Sequence, residues 1–272
     1  MKIFAIRSAS MRKAKNLAYL LYYETEKNFY IEIADDVDEW EVPLLLSSYL
    51  KNGKKTVDAY HSKLWVQQRI VPPDRQNLGQ ILKENNLDTY DEFQLLIMSK
   101  GKCSQDDYYI HPVLYKNLPK NFAVRFGKRI EEVTPLKNGN LLVFFRNGDI
   151  KKCDVNSFIE KAYCRSVLLN NENFSSVEIL TDGYGVAWGT VLSIPSEKLF
   201  EIGTTIDLSL DDFKCFAANR VINVNEACEI LDCSRQNVNN LIKRGILNSI
   251  KPNGKSIALM KSEVIQRKWG KC

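Results

Sequence analysis

The segment V-N-E-A-C-E-I-L-D-C-S-R-Q-N-V-N-N-L-I-K-R-G-I-L, from Val224 to Leu247, decides how the C-terminal part of this 272-residue chain folds. Its apolar residues fall into two short runs with the spacing of one helical face, separated by an Asp-Cys pair. Asn223 precedes the first run and Ser234 the second, and both residue types cap helix N-termini. Gly245 follows the second run, where a left-handed glycine commonly ends a helix. The pattern predicts two short helices joined by a turn.

The residues after this helix pair complete a recognisable module. Leu247–Leu259 predicts a β-hairpin wing around Pro252–Lys255, and Ser262 is expected to cap a last helix over Glu263–Trp269. The whole pattern resembles the winged helix-turn-helix of the MerR and excisionase type. That resemblance implies a second helix in the DNA major groove and a wing along the backbone. The chain departs from the family at Asp232, where a glycine is usual.

The resemblance gives roles to nine polar side chains of this module. Arginine can bind guanine through two hydrogen bonds, and glutamine or asparagine can bind adenine in the same way. Four residues on the exposed early face of the second helix are therefore expected to read bases: Arg235, Gln236, Asn237 and Asn240. Phosphate contacts position such a module without reading sequence. Five residues are expected to bind phosphates: Ser234, Lys243, Arg244, Lys251 and Lys255.

The positive charge of the chain is concentrated at its C-terminal end. The whole chain has a formal net charge of +5, from 38 Lys and Arg against 33 Asp and Glu. Asn219–Cys272 contains ten of these bases and four of the acids, which leaves residues 1–218 close to neutral. A basic segment on a near-neutral body is typical of nucleic-acid-binding proteins, although a solvated basic tail has the same charge.

Composition limits the class of protein. With 44% hydrophobic and 26% charged residues, the chain has enough apolar side chains for packed cores. No apolar run approaches the roughly 18–20 residues that span a bilayer, and Met1–Ser10 lacks the apolar stretch of a signal peptide. The seven cysteines form no C-x-x-C pair and are expected to be reduced thiols. We therefore expect a cytoplasmic protein that is not held in a membrane.

Residues 1–118 predict an N-terminal α+β body. Lys2–Arg7 alternates like a strand, and Leu17–Tyr23 with Phe29–Ile33 has the pattern of a hairpin. Farther along, Thr89-x-x-Glu92 has the spacing of a capping box and predicts the start of a helix. We expect this body, together with the central domain that follows it, to contact another protein.

Residues 119–213 predict a small α+β domain with an antiparallel sheet. Asn138-Gly139, between Ile130–Thr134 and Leu141–Phe145, is a strong signal for a type I′ hairpin. The motif Asp182-Gly183-Tyr184-Gly185 predicts a turn between two further strands. It is not a phosphate-binding loop, because no Gly-Lys-Ser or Gly-Lys-Thr follows it.

This central segment also resembles a known family. The motifs are F-x-N-G-D at Phe145–Asp149, V-x-W-G at Val186–Gly189 and L-F-x-I-G at Leu199–Gly203. In this order they are similar to the family numbered 2442 among the domains of unknown function. The resemblance implies a compact α+β module found with mobile elements and toxin–antitoxin-like loci, without an established chemistry. A longer insert at Tyr163–Asn173 departs from the family pattern.

Two groups of residues have a superficial likeness to metal or catalytic sites. Cys228 and Cys233 have a C-x₄-C spacing, but a closed zinc site needs four ligands and no other Cys or His lies nearby in sequence. Cys103 is followed by acids and by His111, yet nothing in the sequence orients these groups toward one another. We expect no metal site, no cofactor and no enzymatic activity.

These patterns predict a multidomain α+β protein with a body at residues 1–118, a central domain at 119–213 and a winged helix-turn-helix at 219–272. We expect a sequence-specific, double-stranded DNA-binding protein, either a transcriptional regulator or an antitoxin-like autorepressor of a bacterial or phage mobile-element locus. Because one such module reads few base pairs, we expect a homodimer on a palindromic site.

Two alternatives remain open at this point. The first is a protein-binding inhibitor or anti-defence factor, such as an anti-CRISPR protein, whose helix-turn-helix only regulates its own expression. The second is an excisionase-like recombination accessory factor that binds and bends DNA at the ends of an element.

Overall fold

The computed structural model describes residues 1–159, 171–206, 210–251 and 256–270, and their fold is mixed α+β with antiparallel sheets, as predicted. The chain divides into two compact units, Met1–Leu118 and Pro119–Cys272. The first unit ends where the first predicted domain ends. The second unit contains the central and C-terminal segments together, and their division into two domains stays a prediction. The predicted wing tip at 252–255 and most of the insert at 163–173 lie outside the described residues.

A five-stranded antiparallel sheet forms the centre of the first unit. Its strands are β1 (Lys2–Ser8), β2 (Ala18–Tyr23), β3 (Asn28–Ile33), β4 (Thr56–Val57) and β5 (Tyr108–Pro112). The strand order is β4-β3-β2-β1-β5. The predicted hairpin of β2 and β3 is confirmed and pairs Leu20 with Ile31. Every residue of β2 is buried, so this strand is covered on both faces.

The described part of the first unit contains helices α1 (Leu44–Lys51), α2 (Ala59–Gln67), α3 (Leu78–Glu84) and α4 (Glu92–Ser99). Trp65 of α2 and Leu96 of α4 are buried in one apolar cluster with side chains of the sheet. The predicted capping box at Thr89 is wrong. Asp91 is the N-cap instead, and its carboxylate accepts a hydrogen bond of 2.9 Å from the backbone N–H of Gln94. A carboxylate is a strong cap because it also stabilises the positive end of the helix dipole.

Two antiparallel sheets form the central part of the second unit. Their strands are β6 (Ile130–Pro135), β7 (Asn140–Phe145), β8 (Ile150–Asp154), β9 (Glu178–Ile179), β10 (Gly185–Trp188), β11 (Leu192–Pro195) and β12 (Thr204–Thr205). One sheet has the order β12-β8-β7-β6 and the other β11-β10-β9, and both contribute side chains to one apolar cluster. The predicted hairpin turn is confirmed. Asn138 and Gly139 have φ values of 60° and 67°, and a type I′ turn requires both to be positive.

The helices described around these sheets are α5 (Asn121–Gly127), α6 (Asn156–Ile159), α7 (Asn171–Ser175), α8 (Ser196–Ile202) and α9 (Leu210–Arg220). The sequence analysis missed α9, which crosses the boundary drawn between the two predicted domains. Phe216 of α9 packs on Phe144 of β7 with 4.7 Å between ring centroids. Throughout the described residues, each helix is too short or too polar to cross a bilayer.

A carboxylate lies inside the central part of the second unit. The predicted turn at Asp182 is present, but this residue is 1% exposed rather than at the surface. Its side chain forms ion pairs with Arg129 and with Arg146, whose Nη2 lies 2.7 Å from Oδ1. Arg129 also donates a hydrogen bond of 2.6 Å to the hydroxyl of Tyr184. The next residue, Gly183, has a φ of 78°, and a Cβ there would overlap the backbone of Ile130.

Replacing this buried charge is expected to destabilise the protein. Asp182→Asn keeps the shape of the side chain and tolerates the left-handed φ of 55°, but removes the negative charge that Asp182 places against the buried Arg129. We expect the free energy of unfolding to fall by about 3–5 kcal/mol, measured by urea denaturation. Asp149→Asn, on an exposed turn, is the matched control and should change it by less than about 0.5 kcal/mol. Equal losses in the two variants would contradict the assignment.

Candidate nucleic-acid interface

The C-terminal part of the second unit contains α10 (Val224–Leu231), α11 (Arg235–Lys243) and α12 (Lys261–Lys268), with the short strands β13 (Val221–Ile222) and β14 (Leu259–Met260). The predicted start of α10 is confirmed as a capping box. Asn223 Oδ1 accepts hydrogen bonds from the backbone N–H of Asn225 at 2.8 Å and of Glu226 at 3.1 Å. In return, Glu226 Oε2 accepts a bond of 2.7 Å from the backbone N–H of Asn223. Three backbone donors that the helix leaves without partners are thereby satisfied.

The turn between α10 and α11 depends on a left-handed residue. Asp232 has φ 50° and ψ 51°, and the next backbone N–H, of Cys233, bonds to the carbonyl of Cys228 at 3.1 Å. Glycine adopts this conformation without steric cost, which explains the glycine usual here in the resembled family. Asp and Asn enter the left-handed region more readily than other L-residues. The departure at this position therefore preserves the turn.

α11 begins and ends as predicted. Ser234 is its N-cap, and the hydroxyl oxygen accepts a hydrogen bond of 3.3 Å from the backbone N–H of Asn237. Val238 and Leu241 are buried in an apolar cluster that also holds residues of α10, α12 and β14. Gly245 follows the helix with a φ of 69°. Because the apolar side of α11 is fixed against this cluster, its polar side has to face outward.

The four side chains expected to read bases are all exposed, but they do not lie on one side of α11. With about 100° of rotation per residue, Gln236 and Asn240 share the side opposite the buried residues, together with Lys243. We call these three residues the outward stripe. Arg235 and Asn237 are separated by about 200° of rotation and so leave the helix on opposite flanks of the stripe.

The described residues that are expected to bind phosphate are all exposed, and one of them, Lys243, belongs to the outward stripe. Lys243, Arg244 and Lys251 are exposed, and Lys255 lies outside the described residues. Ser234 is exposed as well. Its hydroxyl oxygen caps α11, while its proton can still be donated to a phosphate oxygen.

The base of the predicted wing is present in the described residues. Ile250 donates a backbone hydrogen bond of 2.8 Å to Ala258, and Ser249 forms a bridge with Leu259. Leu259 also pairs with Ile222, so the hairpin base and β13 form one small antiparallel arrangement. This arrangement joins the base of the predicted wing to the strand that precedes α10.

The last helix differs from the prediction. It begins at Lys261 after Met260, which has no side-chain cap, so the predicted cap by Ser262 is wrong. Instead, the backbone N–H of Ser262 donates a hydrogen bond of 3.1 Å to Glu132 Oε1 on β6. A carboxylate from the central part therefore satisfies a donor in the first turn of α12.

Glu132 also pairs with Arg220 at the end of α9, with 3.1 Å between Oε2 and Nε. We call these two side chains and the N–H of Ser262 the Glu132 joint. The side chains are 5% and 9% exposed. Burial raises the pKa of Glu132 and lowers the pKa of Arg220, because both charged forms have left water. The sequence analysis missed this joint, since its members are far apart in the chain and carry no shared motif.

Two acids of the group that lies between Cys103 and His111 in the sequence are held by other side chains. Asp106 pairs with the buried Arg69, and Asp107 accepts a hydrogen bond of 2.6 Å from the hydroxyl of Ser8. A hydrogen bond from Ser10 and this bond from Ser8 lower the pKa of Asp107. Within the described ranges, no group of three or more His, Cys, Asp and Glu residues is arranged to hold a metal ion.

The left-handed conformation of Asp232 can be tested by comparing the stability of glycine and alanine variants at this position. Asp232→Gly is expected to be more stable than Asp232→Ala by about 1 kcal/mol, because only alanine has a Cβ that is strained at positive φ. The same pair of changes at the exposed Glu229 inside α10 is the control. There the order should reverse, with alanine more stable than glycine by about 1 kcal/mol. Urea denaturation of the four variants measures both differences, and the same order at both positions would contradict the turn assignment.

No protein-family model, no curated protein and no solved structure matches this chain. The likeness to MerR-type and excisionase-type modules, and that to family 2442, therefore depend on the residues quoted above. The case for a nucleic-acid interface depends on the helix caps at Asn223 and Ser234, the turn at Asp232, the outward stripe and the exposed Lys and Arg side chains of this segment.

Proposed function

We propose that this chain is a sequence-specific, double-stranded DNA-binding protein that regulates transcription. It would act in the cytoplasm of a bacterial or phage-infected cell. The observation that carries the proposal is the outward stripe, Gln236, Asn240 and Lys243, on a short helix whose opposite side is buried. The basic surplus of the C-terminal segment supports it, because DNA attracts such a surface without regard to sequence.

The chemistry of the stripe gives each side chain a role. Gln236 and Asn240 each carry an acceptor and two donors, the combination that binds the major-groove edge of adenine through two hydrogen bonds. Lys243 and Arg244 end the helix where a phosphate backbone would pass, and the exposed Lys251, at the base of the predicted wing, would add a further phosphate contact. Arg235 and Asn237, on the flanks, are placed for phosphates or for neighbouring bases. The outward stripe thus favours a site that contains A·T pairs.

One module of this kind contacts few base pairs, so useful selectivity requires two copies. A homodimer on a palindromic site, with half-sites about one helical turn apart, meets this requirement. The role that fits such a protein, with a central segment resembling a mobile-element family, is an autorepressor of its own locus. An excisionase-like role would use the same surface and would in addition bend the DNA.

A second candidate function, the protein-binding inhibitor, is favoured by a different observation in the first unit. Trp40, Leu44 and Tyr60 are large apolar side chains that are 83%, 88% and 69% exposed. Exposed aromatic residues are typical of protein–protein contacts. A protein partner at this unit is compatible with DNA binding by the second unit, and the two activities can be tested separately.

The salt dependence of DNA binding tests the phosphate contacts. The double variant Lys243→Ala/Arg244→Ala is expected to bind a duplex selected from a random pool more weakly. Its slope of log affinity against log salt should fall by about 2, since each lost phosphate contact removes about 0.9. Arg12→Ala/Lys13→Ala, with the same charge change on exposed residues of the first unit, is the control. Fluorescence anisotropy measures both, and identical slopes would overturn the phosphate assignment.

Base reading is tested by comparing two duplexes. Gln236→Ala and Asn240→Ala are each expected to weaken binding to the selected duplex by about 1–3 kcal/mol, because a base edge loses its partner. Binding to a shuffled duplex of equal length should hardly change. Gln105→Ala, an exposed amide in the first unit, should affect neither duplex. An equal loss on both duplexes would show that the stripe does not read sequence.

A further inference from the structure

Cys228 and Cys233, the C-x₄-C pair of the sequence, lie on the two sides of the turn between α10 and α11. The backbone N–H of Cys233 donates to the carbonyl of Cys228 at 3.1 Å. The backbone N–H of Asp232 donates to the carbonyl of Glu229 at 3.4 Å. With Asp232 in the left-handed conformation, these two bonds form the Schellman motif that commonly ends an α-helix. The motif holds the backbones of the two cysteines beside each other.

The longer-range bond of this motif brings the two cysteines within reach of a disulfide. The nitrogen of Cys233 lies about 1.5 Å from its own Cα, and the oxygen of Cys228 lies about 2.4 Å from its own Cα. Across the bond of 3.1 Å, the two Cα atoms are therefore less than about 7 Å apart, because the chain bends at both atoms. Disulfides join residues whose Cα atoms are about 4.4–6.8 Å apart. The backbone of the turn is compatible with an S–S bond.

The side chains of the pair share the same surroundings. Each is half-buried and packs on the apolar cluster that α10 and α11 share. In a Schellman motif, the side chains at these two positions frequently contact each other. Both are free thiols, and in the part of the chain that the structure describes neither side chain has a hydrogen bond that a new S–S bond would break. Their partial exposure leaves them accessible to a small oxidant.

We propose that Cys228 and Cys233 are a peroxide-sensitive dithiol that closes reversibly to a disulfide across this turn. One thiolate sulfur attacks a peroxide oxygen, and the O–O bond breaks. One oxygen stays on the sulfur as a sulfenic acid, and the other leaves as hydroxide and takes a proton to become water. The second thiolate attacks the same sulfur, the S–O bond breaks, a second water leaves and the S–S bond forms. Two electrons pass from the sulfurs to the peroxide, and a dithiol reductant returns them.

The disulfide ties the end of α10 to the residue that precedes the cap of α11. Because it spans the same turn as the two Schellman bonds, it holds these residues in the conformation that they already have. Local opening of the turn is the motion that it suppresses. The proposal concerns the turn alone and does not require that the chain binds DNA.

Peptide mapping tests whether the disulfide forms. The folded full-length chain is treated with hydrogen peroxide, its remaining thiols are alkylated, and it is digested with trypsin for mass spectrometry. Cleavage after Arg220 and Arg235 releases Val221–Arg235, which contains both cysteines and no others. We expect this peptide to lose two hydrogen atoms and to escape alkylation, and dithiothreitol should reverse both changes. The peptide Cys215–Arg220, with one half-buried cysteine, is the control and should stay alkylated.

Glutathione buffers test whether the fold places the two thiols. The ratio of disulfide to dithiol in Val221–Arg235 is measured at one fixed buffer, in the folded chain and in the chain unfolded by urea. We expect the ratio to be at least about tenfold higher in the folded chain, because the turn already holds the two cysteines together. Equal ratios in the two states would mean that only the short spacing in sequence matters, and would overturn the proposal.

A matched variant moves one thiol without changing the number of cysteines in the peptide. Cys228→Ser/Glu229→Cys shifts the first thiol by about 100° around α10, to an exposed position. Its disulfide ratio in the folded state should fall at least about tenfold, since the second thiol is then out of reach. The proposal is also overturned if the wild-type chain forms no disulfide within Val221–Arg235, if Cys228 pairs instead with a cysteine of another peptide, or if the variant oxidises as readily as the wild type.

Discussion

The C-terminal part of this molecule depends on the shared burial of apolar side chains from helices too short to stand alone. α10 has eight residues and α11 nine, and isolated helices below about 12–15 residues are marginal in water. Both helices are stable here because their apolar sides pack in one cluster, in which Ala227 of α10 and Val238 of α11 are fully buried. This requirement also decides which residues face solvent. Once Val238 and Leu241 are inside, Gln236 and Asn240 have to be outside, and the chemistry available for recognition is fixed by packing.

A second constraint is electrostatic and connects this part to the sheets beside it. Glu132 contacts two elements at once. It forms an ion pair with Arg220 at the end of α9 and accepts a hydrogen bond from the backbone N–H of Ser262 in the first turn of α12. Buried ion pairs contribute little net stability, yet either partner left alone in the interior is costly. The joint therefore disfavours arrangements in which α9 and α12 move away from β6. The same argument applies to the buried ion pairs that Asp182 forms with Arg129 and Arg146 in the neighbouring core.

Local features of the fold were predictable from the sequence, and long-range ones were not. The caps at Asn223 and Ser234 and the turn at Asn138-Gly139 depend on residues within four positions of each other, so their patterns are visible in the chain. The start of α4 was misplaced because Thr89 and Asp91, two positions apart, are both residue types that cap helices. The outward stripe follows from helical rotation, although the divergence of Arg235 and Asn237 was overlooked. The Glu132 joint brings distant segments together, and no spacing rule identifies such contacts.

The position of Arg220 determines where this polypeptide can be divided without damage. A cut at the start of the C-terminal segment, near residue 219, would take from Glu132 both the guanidinium of Arg220 and the backbone N–H of Ser262. Each fragment would then carry a defect created by the excision, and loss of activity in either would say little about where that activity resides. The passage from Leu118 to Pro119, where one compact unit ends and the next begins, is the natural site for separate expression of the two halves.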